Sequence, residues 1–354
     1  MTDVAPDPLQ DTRTLKISLI ALIVVLIVLL GVLLATLLHS GVPNYSSVGG
    51  IRPLFVITGP GTGDKPLFDS PMGATFGLNG RIYVADTRNS RIVVFDRLGN
   101  YLFQFGGLGV GKPAPGGTYS WRPGLMNYPT DVTTDALGRV YVADFGNDQI
   151  EVFTPQGRFI RAFPNPNERV GKGSSGKNGT GIAVTSLAVA NGRVYATDKY
   201  QVLVFTTYGR LIEQFGKPGL GPADLDHPNG IAVAADSTVI VSDSNHNRVL
   251  GLTAVGLPLW SAGRAHPIDS SLTSEFDVPR GLATLSDGSV IVADALASHL
   301  VLLSRSGRVL TTYGRRGSAP GAFYFPTDIA TEPDGPLVIA EKGNNRVQVV
   351  ALDR

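Results

Sequence analysis

The sequence predicts an all-β protein, a closed ring of six four-stranded blades, preceded by one membrane-spanning helix. Three observations carry this. A hairpin unit recurs six times: GRIYVADTRNSRIVVF from Gly80, GRVYVADFGNDQIEVF from Gly138, GRVYATDKYQVLVF from Gly192, STVIVSDSNHNRVLGL from Ser237, GSVIVADALASHLVLL from Gly288 and GPLVIAEKGNNRVQVV from Gly335. Glycine (43) and proline (24) are abundant while charged residues make up 17%, a balance that suits short strands and turns. Finally, ISLIALIVVLIVLLGVLLATLL, from Ile17 to Leu38, carries no charge.

Residues 1–15 are polar, with three aspartates and two prolines, and are expected to form a short cytoplasmic tail. Residues 16–39 are expected to form a transmembrane helix, since 22 uncharged residues reach about 33 Å at roughly 1.5 Å each. A cleaved signal peptide is the alternative, but the run exceeds the usual length and no small-x-small site follows it. Arg13 and Lys16 flank its start, and the next cation is Arg52, which puts the N-terminus in the cytoplasm and the remainder outside. Small polar residues make 40–51 a flexible tether. The ring is expected over 52–354.

Within each unit the two runs read as strands rich in β-branched residues joined by a tight polar turn. A strand opening P-x-(G/D) precedes them (PTDVTT at Pro129, PNGIAV at Pro228, PRGLAT at Pro279, PTDIAT at Pro326). A closing strand follows: YLFQFGG from Tyr101, RFIRAF from Arg158, RLIEQFG from Arg210 and RVLTTYG from Arg308. The sixth unit stops at VQVVALDR without one, whereas PLFVITGPG at Pro53 stands alone. Pairing the two would close the ring and hide its free edges.

These units resemble NHL repeats, whose pattern is roughly P-x-G-I-A-V-D, then I-Y-V-A-D-S-x-N-H-R-I-Q-V-F, then a strand ending F-G. The match runs from Pro53 nearly to the C-terminus and is closest in blades four and six; blade three has a turn two residues shorter and lacks the arginine. The resemblance implies a six-bladed β-propeller, of which the extracytoplasmic sensor propellers of bacterial receptor kinases are one example; no kinase segment occurs in this sequence.

Acid and base five apart, as in Asp86/Arg91 and Asp243/Arg248, read as ion pairs bracing a turn, because catalytic residues do not normally recur around a ring. Asp243-Ser-Asn245-His-Asn247 imitates a calcium loop but has Arg248 where that loop needs glycine. Amidating lyases, which resemble NHL propellers, hold zinc through histidines just after the blade-opening proline. Here those positions hold Met72, Thr130, Asn229, Arg280 and Thr327, so no metal or other cofactor is expected, and an enzyme is the less favoured reading.

The start of the innermost strands should converge on one mouth of the central channel. Thr130, Asp131, Asn229, Arg280, Thr327 and Asp328 are therefore candidates for holding a small ligand, the alternative being a simple polar funnel. Two insertions share that face, 106–128 and 164–181. The first carries Tyr119, Trp121, Arg122, Met126 and Tyr128, residue types enriched in interface anchors, and is either a partner-binding loop or one whose Trp121 folds back on its own blade. The net charge of +1 argues against nucleic acid, and the lack of cysteine excludes disulfides and thiolate metal sites. The expected function is an envelope scaffold binding other envelope proteins, with a small-ligand sensor or a metal-dependent hydrolase or lyase at the channel mouth as alternatives.

Overall fold

The computed structural model describes residues 22–23, 25–27, 29–30, 50–60, 68–110, 112–113, 119–165, 181–263, 275–332 and 335–353. The chain divides into two compact units, Met1–Asn44 and Tyr45–Arg354. In the first, the described positions are helical and exposed, and the expected 16–39 span lies largely outside the described residues. No helix among the described residues is long and apolar enough to cross a membrane.

Six antiparallel four-stranded sheets make up the second unit. Their innermost strands are Pro71–Phe76, Pro129–Thr134, Val184–Ala190, Pro228–Val233, Pro279–Thr284 and Pro326–Thr331, each packed against the next around a closed ring. The second strand of five blades, such as Ile82–Asp86 or Val290–Asp294, is buried at every position, and that of blade three, Arg193–Asp198, at every position but Arg193. A sheet sandwiched between two others has no wet face, so these strands are continuous apolar runs rather than alternating ones. Outermost strands such as Tyr101–Gly106 are mostly half-exposed.

Ring closure follows the sequence expectation. Ile51–Ile57 pairs antiparallel with Arg346–Leu352, from Ile51 opposite Leu352 to Ile57 opposite Val347, and becomes the outermost strand of blade six. That strand begins at Ile51, the last residue of the expected tether of 40–51, of which 40–49 lie outside the described residues. The core comprises six apolar clusters, each shared by two adjacent blades. Tyr83, Ile92 and Val94 of blade one, for example, pack with Val132, Val142 and Phe153 of blade two.

The recurring acid is a structural brace. In each blade its carboxylate accepts the backbone N–H of a residue leading into the innermost strand: Asp86 from Asp69, Asp144 from Asn127, Asp198 from Ala183, Asp243 from Asp226, Asp294 from Asp277 and Glu341 from Tyr324. Arginine completes it in blades one, four and six, at 2.7, 2.8 and 2.7 Å. Arg248 and Arg346 also donate to carbonyls of the preceding inter-blade loop, including Asp224 and Ala322. In blade three Gln201 takes the arginine's place, donating to Asp198 at 2.8 Å.

Candidate functional site

All six innermost strands carry a β-bulge in their first few residues, for example between Pro71 and Gly73 and between Pro129 and Asp131. A bulge takes residues out of the ladder and leaves backbone groups there for other partners. The PTD motif of blades two and six supplies such partners across the gap between blades. Thr130 donates its hydroxyl to the Val184 carbonyl at 3.2 Å, while the Asp131 carboxylate accepts the Leu187 N–H at 2.7 Å and the Ser186 hydroxyl at 2.8 Å. Thr327 likewise donates to the Pro71 carbonyl at 3.4 Å, and Asp328 accepts the Ala74 N–H at 2.9 Å. Four of the six mouth candidates thus bind the next blade.

Glycine on the other side lets the acids come this close. A Cβ on Gly73 would lie 2.7 Å from the Asp131 Cα, and one on Gly281 would lie 2.3 Å from the Asp328 Cα. The two carboxyls line a channel cavity of about 260 Å³ together with Thr75, Thr133, Thr284 and Thr331. Burial and the neighbouring Asp328 hold the Asp131 carboxyl well above the usual carboxylate range, and burial pushes Asp328 up to about 6. Two unneutralised carboxylates side by side are unfavourable, so the pair retains a proton near neutrality. Among the described residues no three His, Asp or Glu side chains are gathered as a metal site.

The other two candidates lie on adjacent blades. Asn229 donates to the His227 carbonyl at 2.9 Å. Arg280 has a sealed Nε with no partner among the described residues, and burial lowers its pKa against the opposing pull of Asp328. Sequence reasoning placed all six residues at one mouth but could not see which were engaged across blades.

The first insertion is tied at its base. Gly109 N–H donates to the Met126 carbonyl and Met126 N–H to that of Gly107, both at 2.9 Å. Met126 is fully buried in the core between blades one and two, which removes it from the expected partner-binding set: its unbranched side chain fills that core. Tyr119 lies in a small hairpin, Lys112–Pro113 with Tyr119–Ser120. Trp121 is half-buried, its indole N–H without a partner among the described residues, Arg122 is exposed, and Tyr128 is half-buried beside Phe145. Leu108 and Val110, not singled out from sequence, are 67% and 50% exposed. Much of the second insertion, 166–180, lies outside the described residues.

The NHL repeat model matches residues 68–95 and 126–153, in blades one and two. Human NHL repeat-containing protein 3 is 26% identical over 239 residues, 62% of this chain and 64% of that protein. The chain therefore spans less than two thirds of this relative's length. Among solved structures, a gluconolactonase from Xanthomonas campestris superposes with a TM-score of 0.55 at 15% identity, covering 86% of this chain and 91% of that one. Virginiamycin B lyase from Staphylococcus aureus gives 0.52 at 13%, covering 80% and 95%. At such identities these two likenesses concern the fold alone.

Proposed function

The chain is an NHL-repeat six-bladed β-propeller, and from that premise we propose that it is a protein-binding or scaffolding module of the cell envelope, anchored by one N-terminal membrane span with the propeller outside the cytoplasm. The observation that carries the binding role is the first insertion: a loop fastened by Met126 to the blade core that leaves Leu108, Val110 and Arg122 exposed. A scaffold that fixes its loops before a partner arrives has little ordering to do on binding. The anchor rests on the uncharged run 17–38 and on Arg13 and Lys16 before it.

Crosslinking in native membranes tests the binding role. Replacing Tyr119, Trp121 and Arg122 together by alanine is expected to remove specific crosslinked envelope proteins while the propeller still folds. An unchanged set of partners would defeat the proposal. For the anchor, the protein should stay with membranes through alkaline carbonate washing, and a protease added outside the cell should digest the propeller; release into the wash or full protection would argue against it.

A further inference from the structure

One mouth side chain forms no bond to the next blade. Among the described residues Arg280 makes neither a hydrogen bond nor an ion pair; its Nε is sealed from solvent, yet the residue is only half-buried, which leaves the end of the guanidinium accessible. A desolvated guanidinium without a partner is costly, since each unmade charged hydrogen bond forfeits a strong interaction.

The surroundings are cationic. Lys342, following the blade-six acid, is half-buried with its pKa lowered by burial and by the charges of Arg280 and Arg88. Its ammonium lies 5.8 Å from the Phe325 ring centroid. Arg88 is exposed and approaches only the surface carboxylate of Asp69, at 3.7 Å. The acids below are already engaged: Asp131 and Asp328 accept backbone N–H groups, and the pair retains a proton. The charges of Arg280 and Arg88 thus both act on Lys342, opposed by Asp328 at Arg280 and by Asp69 at Arg88.

We propose that this mouth seats a small oxyanion, a phosphate or carboxylate group, on the guanidinium of Arg280 with Lys342 as the second cation. A guanidinium offers parallel N–H donors matched to two oxygens of such a group, which an ammonium alone does not. The alternative role for Arg280 is that of a remote counter-ion to Asp131 and Asp328, and the two roles separate experimentally.

The test titrates inorganic phosphate, and acetate in parallel, into the full-length protein in detergent at constant ionic strength, following binding by calorimetry and thermal unfolding. Saturable binding of at least one of the two is expected in the wild type. Arg280→Gln should weaken it roughly ten- to hundredfold, Lys342→Gln severalfold, and Arg158→Gln, at an exposed cation of blade two, not at all. Binding of neither anion beyond that of chloride would overturn the proposal. So would an Arg280→Gln protein that melts earlier yet binds the anion as tightly as before, the behaviour of a counter-ion. Should Arg280→Gln fail to fold, Arg280→Lys and Lys342→Gln decide: wild-type affinity in both refutes the site.

Discussion

Glu151 is a carboxyl buried at a position where another blade uses an amide. It lies two residues beyond Gln149, as Gln348 lies two beyond Arg346, and both are fully buried. Gln348 accepts the Gly321 N–H at 2.9 Å and donates to the Ala322 carbonyl at 2.9 Å and to Glu341 at 2.6 Å. Glu151 accepts the Gly124 N–H at 3.1 Å, but its Oε2, the counterpart of the donating amide, has no partner among the described residues. Burial first, and the charge of Asp144 second, push its pKa up to about 9 from 4.5. The carboxyl is therefore protonated, and neutral like the amide, at neutral pH.

The linkage sign follows. A folded pKa above the unfolded one means that the stability contributed by Glu151 is complete below about pH 4.5 and is lost progressively as pH rises toward about 9. At pH 7 the unfolded chain has already gained about 2.5 pH units of ionisation, on the order of 3 kcal/mol at roughly 1.4 kcal/mol per unit. Glu151→Gln removes the titration and keeps the shape. The variant should match the wild type near pH 4.5 and exceed it by about 3 kcal/mol at pH 7, read from urea unfolding of the full-length protein. A difference independent of pH, or a variant less stable at pH 7, would refute the reasoning.

Three further outcomes are expected, each measured by chemical or thermal unfolding. Met126→Ala should destabilise by about 2–5 kcal/mol through the cavity it leaves between blades one and two. Gly73→Ala forces its Cβ to within 2.7 Å of the Asp131 Cα and should cost about 1–3 kcal/mol, as overpacking does. Arg248→Ala strands the buried Asp243 carboxylate and should cost about 3–5 kcal/mol. Arg91→Ala should cost less, because the Arg91 side chain is 20% exposed against 5% for Arg248 and water can reach the carboxylate left behind.

The blade count and the closing strand were legible because a strand buried on both faces must be apolar throughout, and six such runs cannot be mistaken for surface. The innermost strand of blade three escaped notice because Val184 stands where the others have proline. The outermost strand of blade four, Pro258–Gly263, has Ala262 where its relatives end in an aromatic and carries its own aromatic, Trp260, two places earlier. The candidate mouth was read as one set of residues. Its division into Thr130, Asp131, Thr327 and Asp328, which grip the next blade, and Arg280, which grips nothing, depends on bonds between distant parts of the chain that no local pattern records. Met126 looked like part of an exposed loop for a similar reason: the loop's base crosses the core.

Within the ring, the strand Ile51–Ile57 is made before every other strand, and its partner Arg346–Leu352 after all of them, about 300 residues later. Until then blade six offers an open edge that any passing strand could occupy. Closure is consequently an event of its own, distinct from the folding of individual blades and governed by whether two distant ends meet before something else does. Changes in either end strand should therefore alter how often a finished ring is obtained, even where every blade remains sound.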